Sequence, residues 1–89
     1  MRAIITVNAA DTVGIIAFVS TYLAKHGVNI LDISQTIVQG FFVMIMLVDF
    51  SKGDVSFDEL RRGLLAEGEQ RNVSIHIQRQ EIFQAMHRV

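Results

Sequence analysis

The 89-residue chain has no cysteine, which excludes disulfides and thiolate metal sites and gives no sign of an oxidising compartment. It has no proline either, and no stretch has the composition of a linker or a low-complexity segment. Charge is sparse. Only 19% of residues are charged, and eight basic against nine acidic residues leave a formal net charge of −1. Nothing in that balance favours a polyanion held by bulk electrostatics. Long apolar runs are missing as well. The longest, Phe41 to Val48, falls well short of the ~18 residues that a membrane helix needs. The opening "MRAIITVNAADT" turns polar too soon for a secretory signal. A soluble, cytoplasmic chain with no membrane partner is the expectation.

Apolar residues, by contrast, are abundant, at 51% of the chain. The length fits one domain over residues 1–89, with no room for a second core. A chain of this size buries only roughly 60–65% of its unfolded surface. Such an apolar load therefore predicts that part of it lies against a partner.

"RAIITVN" (Arg2 to Asn8) is short and β-branched and reads as a first strand. A helix follows over about Val13 to His26, with Ile15, Val19, Tyr22 and Leu23 at helical spacing and Ile16 and Phe18 beside them. Gly27 is a natural stop, since its backbone takes positive φ at little cost. "VNILDISQTIVQ" reads as a second strand, with Leu31, Ile33 and Ile37 on one face and Asp32, Ser34 and Thr36 on the other. Gln39-Gly40 reverses the chain. Gln disfavours positive φ, so the expected form is a three-residue turn ending in a glycine bulge rather than type I′. "FFVMIMLVDF" is apolar on both faces, the mark of a central strand.

The second helix opens with the clearest local signal in the chain, Ser56-Phe57-Asp58-Glu59. This is a capping box, flanked by Val55 and Leu60 at the spacing of a hydrophobic staple. Phe57, Leu60, Leu64 and Leu65 form its apolar stripe, and its end falls between Gly68 and Arg71. "NVSIHIQRQ" alternates as a fourth strand, and the tail "EIFQAMHRV" spaces Ile82, Phe83 and Met86 for one or two helical turns.

The order is therefore β-α-β-β-α-β. Right-handed crossovers close it most simply as an α+β, ferredoxin-like fold: a four-stranded antiparallel sheet with both helices on one face, plus a short C-terminal tail. The face away from the helices would carry Asp32, Ser34, Thr36, His76 and Gln78. One parity of the third strand, either Phe42, Met44 and Met46 or Phe41, Val43 and Ile45, adds an apolar stripe to it. A half-apolar open face invites cover by a second subunit, by the tail, or by both.

The stretch "ADTVGIIAF" (Ala10 to Phe18) admits two readings. In one, Asp11 or Thr12 caps the helix and Gly14 eases the turn. In the other, the unsatisfied N–H groups of a helix start, with a glycine allowing close approach, form a ligand site. Glycine inside a first turn costs ~1 kcal/mol relative to alanine, which close approach of a ligand or neighbouring backbone would offset.

"DTVGII" at this junction, followed by "HGVNILDIS", resembles the ACT domain, a small-molecule-binding regulatory module. "VNILDISQTIVQGFFVMIMLVD" and "EIFQAMHRV" extend the resemblance over essentially the whole chain, to a family of single-domain ACT proteins similar to regulators of the glycine cleavage system. "DISQT" and "AMHRV" are its specific motifs, whereas D-x-x-G alone carries little weight. The resemblance implies a homodimer or higher homo-oligomer that binds an amino acid or similar metabolite at its interface and signals to a protein partner. The implied ligand residues are Asn8, Asp11, Val13, Gly14 and Ile15 in one subunit, facing Asn29, Ile30 and Leu31 of its neighbour. The chain departs from the usual motif: Thr12 and Val13 stand where relatives carry a basic residue and proline, and Ala9 and Ala10 where many have glycine or polar residues.

Other classes fit less well. His26, His76 and His87 lack an i,i+4 partner, and no metal or cofactor is expected. The RNA-recognition motif shares this element order, but "GFFVMIML" lacks the basic residues that flank its stacking aromatics. An acylphosphatase-like enzyme would need an arginine in "NAADTVG", and no nucleophile–base pair with interpretable spacing appears. A binding module without catalytic residues is the expectation, with a ligand-free protein–protein module as the alternative.

Overall fold

Four strands and two helices form in the order expected: β1 (Arg2–Ala9), α1 (Ile15–Lys25), β2 (Asn29–Val38), β3 (Phe41–Asp49), α2 (Phe57–Gln70) and β4 (Ser74–Arg79). The computed structural model describes residues 1–10 and 13–81. The helical spacing of Ile82, Phe83 and Met86 and the caps assigned to Asp11 or Thr12 lie outside those residues. The sheet is antiparallel with strand order β2-β3-β1-β4, the ferredoxin-like arrangement, and β1 and β3 are its inner strands.

Alternation decides what each face does. Ala3, Ile5, Val7 and Ala9 of β1 lie beside Met44, Met46 and Val48 of β3 and Ile75 and Ile77 of β4, all buried. Onto this face pack Ile15, Val19 and Leu23 of α1 and Leu60 and Leu64 of α2, the i, i+4 positions of each helix. The opposite parity of β3, Phe41, Val43 and Ile45, therefore turns away from the helices, together with Asp32, Ser34, Thr36, His76 and Gln78.

Both helices end the same way. Val28 N–H bonds to the Leu23 carbonyl at 2.9 Å and Gly27 N–H to the Ala24 carbonyl at 3.1 Å, with Gly27 at φ 72. After α2, Val73 N–H bonds to the Gly68 carbonyl at 2.8 Å and Asn72 N–H to the Glu69 carbonyl at 3.4 Å, with Asn72 at φ 56. These are Schellman motifs, one built on glycine and the other on asparagine. The capping box at Ser56 is complete: Glu59 N–H donates to the Ser56 hydroxyl, and Ser56 N–H to the Glu59 carboxylate.

Three local expectations need correction. First, α1 begins at Ile15, and its N-cap is Gly14, which makes no side-chain cap bond. Second, Gln39 (φ 51) and Gly40 (φ 85) alone join the paired residues Val38 and Phe41. This is a two-residue turn of type I′ character, whose twist matches the flanking strands well enough to hold a glutamine at positive φ. Third, Leu31 falls out of the regular alternation that carries Ile33 and Ile37. The pairing steps from Ile30↔Val48 to Asp32↔Leu47, leaving Leu31 in a bulge and putting Ile30 on the helix side.

Candidate functional site

The link from β1 to α1 is shaped by Gly14. At φ 74 it occupies the left-handed region, and its carbonyl accepts the first helical bond from Phe18 N–H at 2.9 Å. A Cβ at this position would meet nothing within 4 Å. The glycine is thus required by backbone conformation, not by a close neighbour in the chain. As the N-cap, Gly14 itself offers no side chain to the first amides of α1.

Beside Gly14 lies a cavity of about 390 Å³. Ala9, Ala10, Val13, Gly14 and Ile15 form one wall, Phe18 the floor of the next helical turn, and Arg71, Asn72 and Val73 the other wall. The Schellman turn after α2 is what brings that second wall over, because it folds the chain back at Asn72. The Arg71 guanidinium stacks on Phe18, 4.4 Å from the ring centroid, while its Nη1 donates to the Glu67 carboxylate at 3.3 Å and the Glu67 carbonyl at 3.1 Å. On the far side of this stack a second hollow, about 430 Å³, is bordered by Thr21, Tyr22, Lys25 and Glu67. Burial raises the Tyr22 phenol above its ordinary value, and the Glu67 charge adds to the rise.

The residues implied by resemblance do not gather in one place. Val13, Gly14 and Ile15 line the cavity, with Val13 84% exposed and Ile15 buried. Asn8 is half-buried in β1, paired with Val43 and Ser74 on the face away from the helices, and does not line the cavity. Asp11 lies outside the described residues. Asn29, Ile30 and Leu31 sit at the other end of the sheet, where Asn29 pairs with Asp49, itself paired with Arg2. Ala9 and Arg2 are the two ends of β1. Seven residue steps of a strand separate them by roughly 24 Å, so one chain cannot close both halves on one small ligand.

Asn29 borders a small hollow of about 240 Å³ with Gly27, Asp49, Ser51 and Lys52. The Asp49 carboxylate accepts from the Ser51 hydroxyl at 2.7 Å and the Ser51 amide at 2.9 Å, which with the nearby N-terminal ammonium holds its pKa down at about 2. At the opposite end of β2, a groove of about 450 Å³ runs between Ile16 of α1 and Gln35, Thr36 and Ile37. β2 is an edge strand, and every residue from Leu31 to Val38 is exposed. Arg71 is the lining residue that sequence reasoning missed. Its signal was Asn72, a residue tolerant of positive φ directly behind the helix end.

A family model for the ACT domain matches residues 2–78. A UPF0237 protein of Clostridium acetobutylicum is 55% identical over 89 residues, covering 100% of both chains. Among solved structures, an ACT domain protein from Streptococcus pneumoniae superposes with a TM-score of 0.84 at 45% identity, covering 98% of each chain. A candidate transcriptional repressor of the glycine cleavage system shares the fold, with a TM-score of 0.72 at 23% identity over 89% of this chain and 45% of its own. Sheet order, the glycine-led turn into α1 and these likenesses agree: the chain belongs to the ACT-domain family, among its UPF0237 members.

Proposed function

We propose that this protein is a regulatory module that binds an amino acid or similar small metabolite between two copies of itself and passes the bound state to a protein partner. The observation that carries the reading is the separation of the two half-sites beside an edge strand that has no second strand neighbour among the described residues. Pairing β2 with β2 of a second copy, antiparallel, sets the neighbour's Asn29, Ile30 and Leu31 beside this chain's Ile37 and Val38. That is the end of the sheet where Gly14 and Ile16 stand. The edge also carries the main-chain donors and acceptors that such pairing uses.

The chemistry matches the ligand class. The amides at the start of α1 and the Arg71 guanidinium suit a carboxylate, and the Asn29 amide suits an ammonium or a second amide. The test is a thermal melt against the common amino acids, with molecular mass by light scattering on the same samples. A ligand at ~100 times its dissociation constant adds ~2.7 kcal/mol. For a domain of this size each kcal/mol raises Tm by roughly 4–8 °C. A dimer that responds to one amino acid, and loses the response in Asn29→Ala, supports the proposal. A monomer, or a dimer indifferent to the whole panel, defeats it and leaves the ligand-free interaction module, which exposed Ile37, Val38 and Phe41 would serve.

A further inference from the structure

Arg71 is the single charged residue among the described residues lining the cavity beside Gly14. It stands immediately after α2, on a turn fixed by two backbone hydrogen bonds, so its Cα position is set by the fold. Two contacts then restrain its side chain. The ring of Phe18 lies under the guanidinium at 4.4 Å, and Glu67, one helical turn back, takes Nη1. Stacking restrains the guanidinium plane, and the contacts to Glu67 use Nη1 alone of its three nitrogens. A restrained guanidinium loses little further entropy on binding, which is the condition for planar, bidentate recognition of a carboxylate.

The rest of the cavity narrows the class further. Ala9, Val13 and Ile15 present apolar surface on the wall across from the arginine, Val73 adds apolar surface to the arginine's own wall, and Asn72 adds a neutral polar group. About 390 Å³ sits at the small end of ligand cavities. A single cation among the described lining residues matches a single negative charge better than a phosphate dianion.

We propose that this cavity binds a small monocarboxylate with a short branched apolar tail, that Arg71 anchors the carboxylate, and that Phe18 is the positioning residue that holds the guanidinium. The inference rests on the ligand-binding reading above and deepens it: the anchor comes from the α2–β4 turn of the same chain, not from the neighbour.

The probes are isovalerate, isovaleramide and isoamylamine, titrated at millimolar concentration into the ¹⁵N-labelled full chain. Isovalerate should shift the Gly14 and Phe18 amides and the Arg71 Nε–H, and the amide and amine should not. Arg71→Gln should weaken isovalerate about tenfold or more, the loss expected of a charge-assisted pair. Arg71→Lys keeps the charge but not the fork and should fall between. Phe18→Leu should weaken binding while broadening the Arg71 Nε–H signal, a readout that loss of packing alone would not give. Equal shifts from isovalerate and isovaleramide overturn the proposal. So does unchanged affinity in Arg71→Gln, or no shift from isovalerate at all. Mass measurements on the same samples separate the two readings. Arg71-dependent binding to a monomer keeps the anchor and removes the shared site. An amino-acid response in a dimer that ignores Arg71→Gln keeps the shared site and removes the anchor.

Discussion

At the scale of single residues, the glycines show how far a local reading goes. Gly14 was explicable from sequence as a place where something approaches closely, yet its space is open and its φ of 74 is the reason for it. Gly63 and Gly68 lie inside α2, where propensity alone predicts a gain of ~1 kcal/mol on replacement by alanine. Both are held by tertiary contact that no local pattern reveals. A Cβ on Gly63 would collide with the Tyr22 hydroxyl, the tip of a side chain, while one on Gly68 would come within 2.5 Å of the Val73 carbonyl. That carbonyl belongs to the turn that carries Arg71 and Asn72, so it cannot move alone. Gly68→Ala should therefore destabilise by about 1–3 kcal/mol, and by more than Gly63→Ala, in urea melts of the two variants. Asp49 supplies a pH signature. Its pKa of about 2 lies below the ordinary 3.8, so its contribution is complete above the higher value and is lost as pH falls toward the lower one. The stability difference between wild type and Asp49→Asn should shrink over that acid window and stay flat above it, as read from urea midpoints at each pH.

At the scale of elements, what was legible was whatever depends on neighbours in sequence. The capping box at Ser56 formed as read, because all its partners lie within one turn; Ser56→Ala should lower stability by ~1 kcal/mol in a urea melt. The core stripes of both helices were equally plain from periodicity. Two features of the β2–β3 hairpin were not. The bulge at Leu31 is set by pairing with β3, and the turn by the twist of both strands, so neither is encoded in the residues that adopt it. The sequence even argues against the turn, since Gln39 is a poor residue for φ 51. Gln39→Asn should therefore raise stability by about 0.4–1 kcal/mol, visible as a higher Tm. The cavity was half legible: its glycine wall follows from the motif, whereas its arginine wall required knowing where α2 delivers the chain.

At the scale of the whole molecule, the sheet has helices on one face and an edge strand exposed along most of its length. Its two candidate half-sites stand at opposite ends of β1. A site that draws on both must be divided between copies, and divided sites can be repaired by mixing. Val13→Glu spoils the glycine end of its own chain, and Asn29→Ala spoils the other end. On the proposed shared site, each variant alone should form dimers with no working site. In a mixed dimer the two faults fall together on one side, leaving the other side with an intact loop and an intact strand. Two inactive proteins, unfolded together and refolded at equal concentration, should regain about a quarter of the wild-type ligand sites by calorimetry, since about half the dimers are mixed. Failure to regain any would place the whole site within one chain. With a site shared in this way, the geometry of a small sheet becomes a prediction about inheritance: two defective alleles of such a protein should complement each other in one cell.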